Sequence, residues 1–188
     1  MSREEEARLF AAIESEPQRE HLKGILLVAL DCALRRGEIL KLKWADLDLE
    51  RRTITVRAFN AKTAKSRIVA MTLRVHADLS RRWLSSAGMP DRLVFGIKSQ
   101  IRTAFVKACR AAKVSAFRFH DTRHTAISRM IRAGLPPVEV MRVSGHQTLS
   151  CLYQYANIDS DTVFRAAAAL DAFHAHAEQS DGTPEMVN

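Results

Sequence analysis

Between Thr53 and Met71 the chain changes its period. Thr53-Ile54-Thr55-Val56-Arg57 alternates and is rich in β-branched residues, and Ser66-Arg67-Ile68-Val69 looks similar. Two short runs of this kind predict a small antiparallel sheet, with Lys62 on its connecting loop. Nearly everything on either side carries helical spacing, so the fold class is α+β, mostly α-helical. Ser2 followed three residues later by Glu5 is a capping box for a helix through about Glu14. Pro17 opens a second helix to about Leu34, with Leu22, Ile25, Leu26, Ala29 and Leu30 at its apolar positions. Further helices are expected at about 72–86, 99–112, 120–133, 137–143, 148–155 and 160–177. Gly88-Met89-Pro90-Asp91 and Gly134-Leu135-Pro136-Pro137 punctuate them.

With 188 residues, 47% of them hydrophobic, the chain suits one domain with a substantial core. The formal charge of +8 is unevenly spread: residues 1–20 and 178–188 each sum to −3, which leaves +14 on the stretch between them. A basic body of that size suits a nucleic-acid partner. Cys32, Cys109 and Cys151 are isolated and mostly set among apolar residues, as reduced core cysteines would be. Met1 is followed by Ser-Arg-Glu-Glu-Glu, which is no secretory start, and the apolar run Ile25 to Leu30 is far too short to span a bilayer. A soluble, cytoplasmic protein is expected.

The residues richest in chemistry are Arg35, Lys62, His120, Arg123, His146 and Tyr155. In-line attack on a phosphodiester puts negative charge on its non-bridging oxygens, and two guanidiniums that each donate a fork of hydrogen bonds suit that transition state. Tyrosine can serve as the nucleophile. His120 and Arg123, at i and i+3, share a helix face and can address one phosphate together. Tyr153 competes with Tyr155, but two residues apart on a helix they point about 200° apart, so only one can face the site. A zinc hydrolase is an alternative, since His120-Asp121-Thr122-Arg123-His124 mimics His-Glu-x-x-His. Arg123 between the would-be ligands repels a cation, and no third ligand stands out downstream.

The 36 residues from His120 to Tyr155 hold His-x-x-Arg, then Gly145-His146, then a tyrosine nine positions later. This closely resembles the catalytic domain of the tyrosine recombinases, the phage-integrase family. Ala33-Leu34-Arg35-Arg36-Gly37-Glu38 is similar to the family's first arginine box, which assigns Arg35 to the phosphate, Glu38 to bracing the site, and Arg36 to a solvated surface. Lys62-Thr63-Ala64-Lys65-Ser66-Arg67 resembles the turn that carries the family's mobile lysine, the general acid for the leaving 5′ oxygen, with Ala64 in place of the usual glycine. Spacing from His146 and the following Ala156-Asn157-Ile158 favour Tyr155 as nucleophile and leave Tyr153 as a packing residue. Thr122, Ser144 and Leu152 depart from the family pattern at positions read as packing.

What the resemblance implies is a site-specific recombinase or integrase domain that cleaves and rejoins double-stranded DNA through a 3′-phosphotyrosyl link, with no cofactor, metal or ATP. A free tyrosine has a pKa near 10, a handicap of roughly 4 kcal/mol at pH 7. Positive charge from Arg35, Arg123 and His146, plus proton acceptance by His120, would remove most of it. A type IB topoisomerase-like activity and a non-catalytic DNA-binding module of the same fold are the alternatives. The expected organisation is a catalytic domain over 1–177 and a flexible tail over 178–188, without the N-terminal core-binding domain that family members usually carry. A homo-tetramer on DNA is expected, its helix 160–177 placing Val163, Ala167, Leu170 and Phe173 or His174 on one stripe, to pack on a neighbouring protomer or on this chain's own core.

Overall fold

The computed structural model describes residues 1–58, 66–86, 88–97, 101–155, 164, 167–172 and 174. Helix α1, Arg3–Glu14, starts on the expected capping box: Ser2 accepts from the Glu5 backbone and Glu5 reaches back to Ser2. Pro17–Arg19 form a separate 3₁₀ turn, and helix α2 covers Glu20–Cys32. The expected single helix breaks there because proline fixes the first turn and Arg19 leaves helical geometry before α2 begins. Gly24 admits no side chain, since a Cβ would stand 2.5 Å from an Asp78 carboxylate oxygen and 2.8 Å from the Phe95 ring.

The sheet has three antiparallel strands in the order β1 (Leu47–Asp48), β2 (Thr53–Val56), β3 (Arg67–Ala70). Ile54 pairs with Val69 and both face inward, while Ile68 on the other face is exposed. Strand β1, only two residues long, carries no alternation from which it could be read. Helix α4 (Leu73–Leu84) is capped by Thr72, and α5 (Arg102–Ala111), α6 (Asp121–Arg132) and α7 (Pro137–Ser144) follow near their expected spans. Residues 149–155 wind as a 3₁₀ helix.

Two cores result. The larger gathers Leu9, Ile13, Leu22, Leu26, Leu79 and Phe105 with the inner face of the sheet. The smaller holds Ala33, Ala126, Ile127, Val140 and Leu152, and so clamps the end of α2, the middle of α6, α7 and the 3₁₀ helix to one another. Tyr155 packs against this second core, and Arg123 and His124 precede its α6 residues Ala126 and Ile127. Two compact units divide the chain, Met1–Tyr155 and Ala156–Asn188. In the second, the described residues 164, 167–172 and 174 are helical, and Phe164 and Leu170 are exposed. Val163 and Phe173 of the expected stripe lie outside the described residues.

Candidate active site

Helix α2 ends on Ala33 in the left-handed region, with φ 53°. That reversal turns the chain so that Arg35 enters the short helix α3, Arg36–Ile39. Glu38, one turn on, accepts the Arg35 backbone N–H at 2.8 Å and its Nη1 at 3.1 Å. The same carboxylate accepts Nη1 and Nη2 of Arg67 at 2.9 and 2.8 Å. Burial, the largest influence, works against the Glu38 charge, but the Arg67 hydrogen bonds, the Arg35 N–H and the two cations together hold its pKa below the ordinary value. Arg36, the neighbouring arginine, is exposed at the start of α3.

Arg67 was not singled out for a role by sequence reading. Its Nε donates to the Val143 carbonyl at 2.9 Å, so one guanidinium joins strand β3 to α3 and to the end of α7. The next turn is built against it. Gly145 sits at φ 71°, and a Cβ there would come within 2.9 Å of the Arg67 guanidinium, so only glycine fits on both counts.

Both expected phosphate arginines reach this Gly145-His146 turn. Arg35 Nη2 donates to the Gly145 carbonyl at 3.2 Å. Arg123, 3% exposed, donates Nη1 to the Ala33 carbonyl at 2.6 Å and Nη2 to His146 Nε2 at 3.3 Å. A guanidinium only donates, so His146 Nε2 accepts and its proton sits on Nδ1. Nδ1–H then donates to Ser144 Oγ at 2.9 Å, and Ser144 donates onward to the Val140 carbonyl at 2.6 Å. Ser144, read from sequence as a packing position, is fully buried and sets the tautomer of His146. Burial first, then the charges of Arg123 and Arg35, lower the His146 pKa to about 4. Its contribution at pH 7 is therefore a neutral imidazole and not the third cation expected. Burial and the repulsion of Arg35 likewise bring Arg123 down to about 10, which leaves it charged.

His120 stands exposed at the N-cap of α6 and lines a cavity of ≈ 350 Å³ with Arg35, Gly37 and Arg123. Burial and the neighbouring His124 and Arg123 lower its pKa. Tyr155 is half-buried at the end of the 3₁₀ helix, and its hydroxyl is hydrogen-bonded to Nδ1 of His124. Burial raises the Tyr155 pKa, with Arg123 opposing and Cys151 adding to the rise. In the sequence His124 stands out only as a would-be zinc ligand, and its place one turn after His120 on the same face is the signal for a role at the site. Among the described residues no group of three or more His, Cys, Asp or Glu stands close enough to hold a metal ion.

Tyr153 is 69% exposed and points to solvent, so it is not the packing residue expected. In a 3₁₀ helix of three residues per turn, positions two apart diverge by about 120°, which separates Tyr153 from the buried side on which Leu152 anchors the turn. Leu152 and Thr122 do pack: the first lies in the second core, and the second is 1% exposed with its hydroxyl donating to the Phe119 carbonyl at 2.6 Å. Lys62 and its rival Lys65 lie outside the described residues.

Residues 1–161 match the phage integrase family. The integrase of Salmonella phage P22 is 25% identical over 186 residues, a match covering 88% of this chain and 48% of the phage protein. A shufflon-specific DNA recombinase of Escherichia coli is 32% identical over 153 residues, covering 79% and 37%. The chain thus spans less than half the length of either relative. The Tn1549 transposon integrase, solved in complex with a circular intermediate DNA, superposes with a TM-score of 0.74 at 19% identity, covering 90% of this chain and 65% of that one. With the matched segment running from α1 past Tyr155, the chain belongs to the phage integrase family, the tyrosine recombinases.

Proposed function

We propose that this chain is the catalytic domain of a site-specific recombinase that breaks and rejoins double-stranded DNA. The observation that carries the reading is the convergence of Arg35, at the N-cap of α3, and Arg123, on α6, on one Gly145-His146 turn, with Tyr155 bonded to the residue after Arg123. Their remaining donors flank the cavity in which His120 also stands. A phosphate seated there meets Arg123, which has no acid partner among the described residues, and Arg35, which shares its one carboxylate with Arg67, and this suits charge developing on non-bridging oxygens. Tyr155 attacks phosphorus as the bond to the 5′ oxygen breaks, giving a 3′-phosphotyrosyl link and a free 5′ hydroxyl. Lys62 protonates the leaving oxygen. One phosphodiester replaces another, so rejoining is the same step reversed.

The basic body of +14 between acidic ends supports duplex DNA as the partner. Domain 1–177 works as a homo-tetramer on DNA inside the cell, with the exposed helical residues around Leu170 reaching a neighbouring protomer. A topoisomerase-like role or a non-catalytic DNA-binding role has no observation in its favour.

The test is covalent trapping on a pool of nicked duplexes of randomised sequence. Wild-type protein forms an adduct that survives denaturation, and Tyr155→Phe forms none while keeping its DNA affinity. An adduct in Tyr155→Phe that disappears in Tyr153→Phe would overturn the assignment.

A further inference from the structure

Three histidines stand at the site, His124 against Tyr155 and His120 and His146 around His124 and Arg123, and they differ in what their nitrogens are bonded to. His146 is committed at both, accepting from Arg123 and donating to Ser144. His120 is at the mouth of the cavity, with its ring edge-on to His124 at 5.0 Å. His124 faces the phenol: its Nδ1 is bonded to the Tyr155 hydroxyl, and the two rings lie 5.7 Å apart at 35°. A phenol with its proton in place donates, so Nδ1 is the acceptor and the His124 proton rests on Nε2.

We propose that His124 is a catalytic residue, taking the phenolic proton of Tyr155 through Nδ1 during strand cleavage and returning it during rejoining. The proposal rests on the transesterification reading above, and it moves the role of proton acceptor from His120 to a residue one turn later. The step balances. As Tyr155 Oη bonds to phosphorus, its proton passes to His124 Nδ1, while the 5′ oxygen leaves with its electron pair and takes a proton from the general acid. In rejoining, the 5′ hydroxyl gives its proton back and attacks; Oη leaves with its electron pair and recovers a proton from the His124 imidazolium.

The surroundings favour transfer within the step over ionisation beforehand. Burial keeps the phenol protonated at rest, so attack needs an acceptor already in contact with the proton. The titratable groups near His124 are His120 at the N-cap of α6, His146 beyond the Gly145 turn, and the Tyr155 phenol, which itself has Arg123 and Cys151 as charged or titratable neighbours. Arg123 points away into its bonds with Ala33 and His146, which leaves the path between Nδ1 and Oη direct. The α6 backbone fixes this division of labour, because adjacent helical positions point about 100° apart.

Single-turnover adduct formation on the nicked-duplex pool tests it, with thermal unfolding and DNA affinity measured on every variant. His124→Phe fills the ring space and has no base; His124→Asn keeps a hydrogen-bond acceptor near Nδ1 but cannot hold the proton. Both should lose roughly 10² to 10⁴ in rate at unchanged DNA affinity. His124→Ala should be as slow and recover in proportion to added imidazole, while His124→Phe does not. A His124→Asn enzyme at the wild-type rate means that the contact only positions Tyr155 and overturns the proposal, as does imidazole-insensitive His124→Ala that is folded. Should His124→Ala fail to fold, the Phe and Asn variants decide. Labelling of Tyr155 by an arylsulfonyl fluoride, mapped by peptide mass spectrometry without DNA, separates the two readings. If wild-type protein makes no adduct, the recombinase reading fails by itself; slower labelling in both His124 variants then still supports the histidine as base, and unchanged labelling overturns it.

Discussion

Arginines do opposite work at the two ends of α6. Near its C-terminal end Arg129 pairs with the buried Glu6 at 2.5 Å. Arg74 forks between Glu6, at 2.6 Å, and Asp31, and its pKa rises above that of an ordinary guanidinium, first through the hydrogen bonds it donates to Asp31. Each cation there meets carboxylates, and the cluster binds α1, α2, α4 and α6 together. At the N-terminal end Arg123 meets a carbonyl and a neutral imidazole, and its pKa falls to about 10. Arg35 and Arg67 share the single carboxylate of Glu38. Neutralised charge stabilises the scaffold, whereas charge left over raises the local potential and waits for an anion.

The largest effect expected from this contrast is on rate. Arg123→Lys keeps the charge but cannot hold Ala33 and His146 while presenting a fork to phosphate. Single-turnover adduct formation should fall roughly 10²- to 10³-fold, while the Ala33 carbonyl left without its donor costs about 1–3 kcal/mol of stability. A variant that loses stability and keeps its rate would make Arg123 a scaffold arginine like Arg74.

Glu6→Ala should do the reverse. It strips Arg129 of its acid and leaves Arg74 with Asp31 alone, costing about 3 kcal/mol as for a broken buried pair. In a chain of this size that is a fall of roughly 10 °C in Tm, read by calorimetry. The rate per folded molecule should stay at the wild-type value.

A smaller effect concerns acid. The folded His146 pKa of about 4 lies below the unfolded value near 6.5, so the unfolded chain binds the extra proton first. Stability from this group is complete above pH 6.5 and is lost as pH falls from 6.5 toward 4. Glu38, whose pKa is lowered, adds its own loss only as pH drops below the ordinary carboxylate value. Denaturant titrations between pH 6.5 and 5 should therefore show a slope in the wild type that His146→Gln reduces, leaving the share of His120 and His21, whose pKa values are also lowered. Equal slopes would mean that burial and the arginines do not hold His146 neutral.

How much of this could be read beforehand depends on the range of the interaction concerned. The helices, the paired strands and the spacing of Arg35, Arg123, His146 and Tyr155 are local, because periodicity, caps and motif offsets live within a few residues. Arg67 became visible only when β3 was seen against the end of α7, since nothing near Arg67 in sequence announces Val143 or Gly145. Ser144 looked like a packing substitution because a small residue before Gly-His says nothing about which nitrogen its hydroxyl will face. Tyr153 was misplaced inward for want of the 3₁₀ winding that turns it to solvent. His124 was hidden by its neighbours, a third histidine beside a pair that already filled the motif.

The smallest effect tests whether backbone geometry replaces the carboxylate at the site. Ala33 holds a left-handed conformation at φ 53° and is fully buried, and its carbonyl takes the 2.6 Å hydrogen bond from Arg123. A non-glycine residue in that region costs roughly 1–2 kcal/mol, so Ala33→Gly relieves strain. It also removes a methyl group packed in the second core, worth about 0.8 kcal/mol, and adds freedom to the unfolded chain. The opposing contributions leave stability within about 1 kcal/mol of wild type. The carbonyl, however, is aimed less firmly, and Arg123 loses part of its preorganisation. A fall of a few-fold, about 1 kcal/mol or less in the barrier, is expected in single-turnover rate at unchanged Tm. The matching control is Asp31→Asn in the other cluster, which should lower Tm and leave the rate alone. If Ala33→Gly lowered Tm as much as Asp31→Asn and spared the rate, the left-handed turn would belong to the scaffold and not to the site.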